Sequence, residues 1–392
     1  MNSAATAPRL TVLLGALVAL PALGTDLFLP ALPALAEALS APVTAAQLTL
    51  TTYFAGLTAG MLLWGPLSDR FGRRPALFAG LSLMLVSSIL TTALTSVTAV
   101  SLARLVQGFA MASGAVIART IVRDLYVHEQ AARLLSAMTI VFSIVPLAAP
   151  LAGALLAEAA GWQAIFFALF AVAAALLASV AAGLRETVPA ERRSAHPRAI
   201  LNTFLQILRT RGFLLPWALV FCAQVGILAF VSNSSFVLVR GLGVGATAYG
   251  LMFGMVMIGQ ISGAWSSSRL VLRLGIPRLL RVGVVVMLVA GLAGALLAWL
   301  HVGHWLAVVV PFMFFLFGTA IVVPNAMAAA LSPFPHAAGS ASSLIGAIGF
   351  AAGALISAGL GAAYDGTARP MATLAALGGA AAFVLGRRFG KA

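Results

Sequence analysis

Polar residues along this chain are confined to short intervals between long apolar runs. Runs of about 18 or more residues, enough to cross a hydrocarbon layer about 30 Å thick as a helix, recur near 10–32, 46–68, 76–95, 98–120, 134–157, 162–184, 213–238, 247–268, 279–300, 305–331, 337–363 and 371–387. The pattern predicts an all-α polytopic membrane protein with twelve transmembrane helices. The first run is expected to be a mature helix, because Asp26, Pro30 and Pro33 stand where a signal peptide would need small cleavage-site residues. The interval 185–211 is long and polar enough to be a linker between an N-terminal six-helix half, 1–184, and a C-terminal one, 212–392. A short repeat agrees with this division: Arg70-Phe71-Gly72 returns as Arg273-Leu274-Gly275 at the matching place, as expected of two pseudo-symmetric halves. The acid beside it does not return, since Leu272 stands where Asp69 would map.

Composition removes the soluble alternative. With 62% hydrophobic and 8% charged residues, the chain lies far from a water-soluble globule, whose charged fraction is about a quarter. The formal net charge of +14 falls into alternate loops: Arg70, Arg73 and Arg74; Arg123 and Arg133; Arg185, Arg192, Arg193, Arg198, Arg209 and Arg211; Arg269, Arg273, Arg278 and Arg281; then Arg387, Arg388 and Lys391. Positive charge therefore reports topology, with both termini and the linker cytoplasmic, and no nucleic-acid partner is expected. His128, His196, His301, His304 and His336 sit at or beyond span ends without ligand spacing, and no Walker-type glycine loop occurs. Cys222, the single cysteine, reads as a small core residue. The expectation is a membrane protein that is not an enzyme, with no metal and no cofactor, acting as a monomer in the bilayer.

Two ionisable residues fall inside apolar runs. Asp26 lies about six residues before the outer end of the first span and Arg104 about six after the outer start of the fourth, so each is roughly 9 Å below the surface. Matching depth suggests that they face each other, as a structural pair or as a proton site in which burial and the nearby cation act in opposite directions on the acid. Around them, Gln47, Thr51, Tyr53, Gln107, Gln224, Asn233, Gln260 and Asn325 supply polar groups, and Phe28, Phe54, Trp64, Phe142, Phe230 and Phe236 supply apolar ones. Such a mixture suits a pocket for drug-sized apolar molecules, although each residue also fits interhelical packing. In the fifth span Pro146, Pro150 and Gly153 demand a bend, either a static kink or a moving element.

The loop Gly65-Pro66-Leu67-Ser68-Asp69-Arg70-Phe71-Gly72-Arg73-Arg74-Pro75 resembles the loop between the second and third helices of the major facilitator superfamily. Arg104-Leu105-Val106-Gln107-Gly108 resembles the fourth-helix motif of its drug:H⁺ antiporters, and Pro150 to Gly153 their fifth-helix motif. Thr25 to Pro33, Val122-Arg123-Asp124-Leu125-Tyr126, Gly161-Trp162-Gln163-Ala164-Ile165-Phe166 and Pro335 to Ser343 are similar to the Bcr/CflA branch, the bicyclomycin and chloramphenicol resistance exporters. The resemblance implies a major facilitator fold in a bacterial inner membrane, exporting small drugs or metabolites by proton antiport. It makes Asp26 the coupling acid and Arg104 its partner. Gly65, Asp69, Arg70, Gly72, Arg73 and Arg74, with Arg123 and Asp124, become a cytoplasmic gate, with Asp69 facing the positive end of a helix. Export of a natural metabolite such as an amino acid, and less readily proton-coupled uptake, share the same fold. Ala149 and Ala154 replace glycines frequent in the fifth-helix motif, and Val18 stands where some exporters carry a second acid, so one coupled proton is expected.

Overall fold

Hydrocarbon offers no partner for a backbone N–H or C=O, so each apolar run closes its hydrogen bonds internally as a helix. The computed structural model describes residues 3–126, 128–188, 197–334 and 338–388. Pro335, His336 and Ala337, Arg192, Arg193, His196 and Lys391 lie outside the described residues. The first half comprises α1 (Ser3–Asp26), α2 (Leu32–Ala38), α3 (Val43–Phe71), α4 (Arg73–Thr92), α5 (Val97–Leu125), α6 (His128–Ala160) and α7 (Gln163–Gly183). After α8 (Pro197–Arg209), the second half comprises α9 (Arg211–Ser235), α10 (Ala246–Leu274), α11 (Ile276–Trp299), α12 (Leu306–Leu331), α13 (Ala338–Ala362) and α14 (Arg369–Gly386). Apart from the short α2 and α8, these are the twelve expected membrane-length helices. Ten described segments are both long and apolar enough to span. The other two, α3 and α10, have 29 residues each and are diluted by Thr, Tyr, Ser, Gln and Gly.

Local chemistry sets several boundaries. Pro30 has no N–H to give the carbonyl of Asp26, so α1 stops at Asp26, and the chain continues through a 3₁₀ turn, Leu29–Ala31, into α2 with Pro33 in its first turn. Sequence placed the end of the first span at residue 32. The expected linker also holds α8, thirteen residues long, in which Ile207 is buried and Phe204 and Leu208 half-buried at helical spacing. Thirteen residues are too few, and too polar, to register as a span. Gly72 joins α3 to α4 at φ 101° and Gly275 joins α10 to α11 at φ 75°. Both conformations are disfavoured for residues with a Cβ, so the repeated Arg-x-Gly is a repeated backbone turn.

Helices of each half pack chiefly on one another. In the first, α3 lies on α5, α4 on α5 and α7, and α1 on α5 and α6; in the second, α11 lies on α12 and α14, α10 on α12, and α9 on α14 and α12. The halves meet where α3 crosses α13 and α6 crosses α10. Small residues permit the closest approaches, since without a hydrophobic driving force the helices are held by contact itself. A β-carbon at Gly56 on α3 would strike the backbone of Leu105 and Phe109 on α5, whereas one at Gly65 would meet nothing within 4 Å. Replacing Gly56 with Leu is therefore expected to cost about 1–3 kcal/mol of stability, and Gly65→Ala less than about 0.5. Thermal unfolding in detergent distinguishes them, and an unchanged midpoint for Gly56→Leu would disprove the tight α3–α5 contact.

Candidate functional site

The end of α1 creates a need that a buried cation fills. At Phe28 the chain switches to a 3₁₀ bond, with its N–H donating to Thr25 at 3.1 Å, and the carbonyl of Gly24 loses its helical partner. Arg104 on α5, fully buried, donates Nη2 to that carbonyl at 2.9 Å and Nη1 to Oε1 of Gln107 at 2.5 Å. Gln107 is held in turn by donating to Ser88 Oγ at 2.7 Å. The guanidinium carbon lies 4.0 Å from the ring centre of Tyr53, 4.6 Å from Phe28 and 5.9 Å from Phe166. Tyr53 donates to the carbonyl of Pro21 at 2.8 Å, so the same helix end is tied by a phenol and a guanidinium. A cation suits the negative end of a helix dipole, and desolvated contact with aromatic faces contributes about 2 kcal/mol.

Asp26 shares this layer and is 6% exposed, yet it forms no ion pair with Arg104. The described ion pairs are Arg73 with Asp69 and with Asp124. The expectation of facing charges is thus corrected: equal depth placed both side chains at the end of α1, but Arg104 is engaged by backbone and rings. Among the described residues Asp26 is the one buried carboxylate.

A polar seam runs beside it between the halves. Gln47 Nε2 donates to the carbonyl of Ser232 at 2.8 Å and to Asn233 Oδ1 at 3.4 Å, and Ser357 Oγ donates to the carbonyl of Gln47 at 3.4 Å. Gln47 Oε1, Ser232 Oγ, Asn233 Nδ2 and Ser235 Oγ are buried there without a protein partner. Phe54 stacks on Phe350 across the seam, ring centres 6.2 Å apart. Gln224 lies against Gly349, and Phe142 is half-buried on α6. Other suggested lining residues serve packing within the second half: Phe230 contacts Phe253 and Phe312, Phe236 contacts Tyr364, and Asn325 donates to Ser267 Oγ at 2.8 Å. Sequence reading missed Ser232, Ser234 and Ser235, although a polar Ser232-Asn233-Ser234-Ser235 run inside an apolar span was the available signal. Beyond it the helix widens to a π turn, Phe236–Gly241, a geometry frequent at functional sites.

At the basic end, Arg73 organises the expected gate. It pairs with Asp69 and with Asp124, whose Oδ2 accepts its Nε at 2.9 Å, and it donates to Ser68 Oγ at 3.0 Å. Asp69 is therefore engaged by its own segment, while Glu186 accepts the backbone N–H of Arg73 at 3.0 Å and of Arg74 at 3.2 Å at the start of α4. Arg70 lies over Phe71, while the guanidinium of Arg123 occupies the space where Gly339 of the other half would carry a β-carbon. Burial pushes the Glu186 carboxyl up, but the N–H donors of Val188, Arg73, Arg74 and Thr187 outweigh it and hold it below the usual range.

At the opposite end Glu158 accepts Thr247 N–H at 2.9 Å and its hydroxyl at 2.7 Å, closing α6 onto the start of α10. Sequence had ended the fifth span one residue before Glu158. Pro146 and Pro150 lie inside α6. The backbone at Pro150 and Leu151 abuts Gly250 of α10, and Gly153 abuts the carbonyl of Leu27, so this motif touches both the segment that ends α1 and the other half.

The sequence profile of the Major Facilitator Superfamily matches residues 14–358. The bicyclomycin resistance protein homolog of Haemophilus influenzae is 32% identical over 367 residues, 91% of this chain and 90% of that one. Multidrug resistance protein D of Escherichia coli is 29% identical over 341 residues, 87% of this chain and 85% of its own. A crystal structure of a D-xylose-proton symporter superposes with a TM-score of 0.71 at 15% identity, covering 98% of this chain and 97% of its own, which speaks to fold alone.

Two outcomes are expected from the site as built. In double-mutant cycles of thermal stability, Arg104→Gln with Tyr53→Leu should show coupling of about 1 kcal/mol, larger than Arg104→Gln with Asp26→Asn; the reverse order would restore the ion pair. For Glu186, a carboxyl held below its ordinary range stabilises the α4 start above the unfolded value and loses that contribution as pH falls through the folded one. Hydrogen exchange at the Arg73 and Arg74 amides, corrected for its intrinsic pH dependence, should lose protection on acidification. Glu186→Gln should weaken that protection at neutral pH.

Proposed function

The chain belongs to the Major Facilitator Superfamily, and from that premise we propose that it exports small, largely apolar drugs or metabolites in exchange for protons. It is a membrane transporter and not an enzyme. One observation carries the coupling: Asp26 is a buried carboxylate without an ion-pair partner, three residues before the 3₁₀ turn whose backbone packs on α9 and α10 of the second half. Protonating it changes the charge next to the seam. Arg104, fixed by Gly24, Gln107 and the rings, keeps a constant positive charge in the same layer, so the site alternates between net neutral and net positive.

The cycle then needs two closures. One end is held by Glu158 with Thr247 and by Gln47 with Ser232, the other by Arg123 against Gly339. Parting the first pair of contacts exposes Asp26 to protons and releases substrate; parting the second admits substrate. The polar atoms of Gln47, Ser232, Asn233 and Ser235 that lack protein partners gain donors and acceptors when the halves separate, which keeps the closed seam from being too stable to open. Gln224, Phe142, Phe54 and Phe350 supply the apolar surround for substrate. The membrane potential contributes roughly 2.3 kcal/mol per proton per 100 mV.

The orientation follows the basic loops, with both termini and the 185–211 linker in the cytoplasm of a bacterium and the bundle in its inner membrane, acting as a monomer. Residues 1–184 and 212–392 are then the two moving halves.

Growth of a pump-deficient strain against amphenicols, bicyclomycin, sulfonamides and tetracycline should identify the exported class; protection against none would remove the drug reading. Asp26→Asn keeps the shape and cannot titrate, so the purified variant should fold and release no proton on substrate addition. Undiminished release would reject Asp26 as the coupling acid.

A further inference from the structure

At the end of the bundle opposite the basic loops, two charges of opposite sign stand beside an apolar groove that the proton site does not use. The groove, of about 620 Å³, lies between α13 and α14, which pack on α3, α9 and α11 in preference to each other. Leu355, Leu360, Leu374 and Leu377 line it, and Leu355 is 77% exposed, so the groove opens towards lipid. An acyl chain fits this lining.

The head of the groove is built differently. Arg369 donates Nη2 to His301 Nδ1 at 3.1 Å and lies 5.0 Å from the ring centre of Trp299, whose Nε1 donates to Thr373 at 3.1 Å. The guanidinium is thereby held in place, yet its buried Nε has no protein partner. Four residues earlier Asp365 uses Oδ1 to accept both the N–H and the hydroxyl of Thr367, at 2.9 and 2.7 Å, and no other residue among those described donates to Oδ2. Partial burial pushes the Asp365 carboxyl up, but the Thr367 hydrogen bonds and the Arg369 charge outweigh it and hold it below the usual carboxylate range. The Asp365 carboxyl is thus ionised at neutral pH, and among the described ion pairs none joins it to Arg369.

We propose that this groove binds one phosphatidylethanolamine molecule, its phosphate on Arg369, its ammonium on Asp365 and an acyl chain along Leu355, Leu360, Leu374 and Leu377. Charge complementarity selects the headgroup. A guanidinium alone would suit any phospholipid phosphate, but a carboxylate oxygen nearby favours a head that carries N–H donors on a cation. Phosphatidylcholine has the positive charge without a donor, and phosphatidylglycerol has no positive charge to offer.

The test uses the intact delipidated protein in detergent, with phosphatidylethanolamine, its mono- and dimethyl derivatives, phosphatidylcholine and phosphatidylglycerol of matched acyl chains, read by native mass spectrometry and thermal shift. Phosphatidylethanolamine is expected to reach half occupancy at about tenfold lower concentration than phosphatidylcholine, the scale of a charge-assisted hydrogen bond, with the methyl series falling between. Asp365→Asn should remove most of that preference while binding of phosphatidylglycerol persists, and Arg369→Gln should weaken all of the lipids. Equal binding of the ethanolamine and choline lipids by the unmodified protein would overturn the proposal. So would a preference that survives Asp365→Asn, or tighter binding of phosphatidylglycerol than of phosphatidylethanolamine. Because the methyl series needs no substitution, a variant that fails to fold leaves the proposal falsifiable.

Discussion

The contact between Arg104 and the open end of α1 is the constraint on which the rest of the first half depends. A lone guanidinium inside a membrane bundle costs several kcal/mol unless its hydration is replaced. Here the replacement comes from a backbone carbonyl that Pro30 indirectly frees, an amide on the next turn of α5, and three ring faces. None of these can change charge. The one carboxylate buried in the layer is Asp26, and in the proposed cycle its freedom from Arg104 matters, because an acid locked to a permanent cation would have to break the pair at every proton transfer.

The two halves share a backbone plan and divide the chemistry. Glycine turns at Gly72 and Gly275 repeat the same left-handed junction, but only the first is surrounded by acids. Asp69, Asp124 and Glu186 gather on the Arg73 segment, while Leu272 in the matching position of the second half is 93% exposed. The seam contribution of the second half is instead neutral, a run of hydroxyls and an amide ending in a π turn. In the proposed cycle a charged layer facing a neutral, hydrogen-bonding one lets the first half respond to a proton and the second to the resulting change in fit.

What sequence revealed, and what it did not, follows from the range of each interaction. Hydropathy marks where a chain enters hydrocarbon, so the twelve membrane helices and the paired Arg-x-Gly turns were legible. It stops at the first charge, whereas helical hydrogen bonding continues, which is why α5 and α6 overran their predicted ends and Glu158 was taken for loop. Resemblance and burial cost together singled out Asp26 and Arg104, yet their relation was misjudged because depth along a helix says nothing about azimuth. Asp69 was expected to face the positive end of another helix; its described ion-pair partner is Arg73, four residues on, and the start of α4 is met by Glu186, more than a hundred residues away in sequence. The amides were hardest to sort: Asn325 and Gln107 each bond within their own helix and to a neighbouring one, while Gln47 and Asn233 retain unpaired atoms, and nothing in composition separates the two cases.

Those unpaired atoms connect structure to motion. A transporter whose seam were fully satisfied in one closed state would be trapped there, since each buried hydrogen bond gained would have to be lost again on opening. Leaving Gln47 Oε1, Ser232 Oγ, Asn233 Nδ2 and Ser235 Oγ without protein partners raises the free energy of the closed seam by an amount that opening recovers, roughly 1–3 kcal/mol for each group that gains a partner. Against this stands the close contact of Gly250 with Leu151, which favours closure through packing between the halves. In the proposed cycle alternation is possible because these terms are comparable, and a single charge change at Asp26 decides between them.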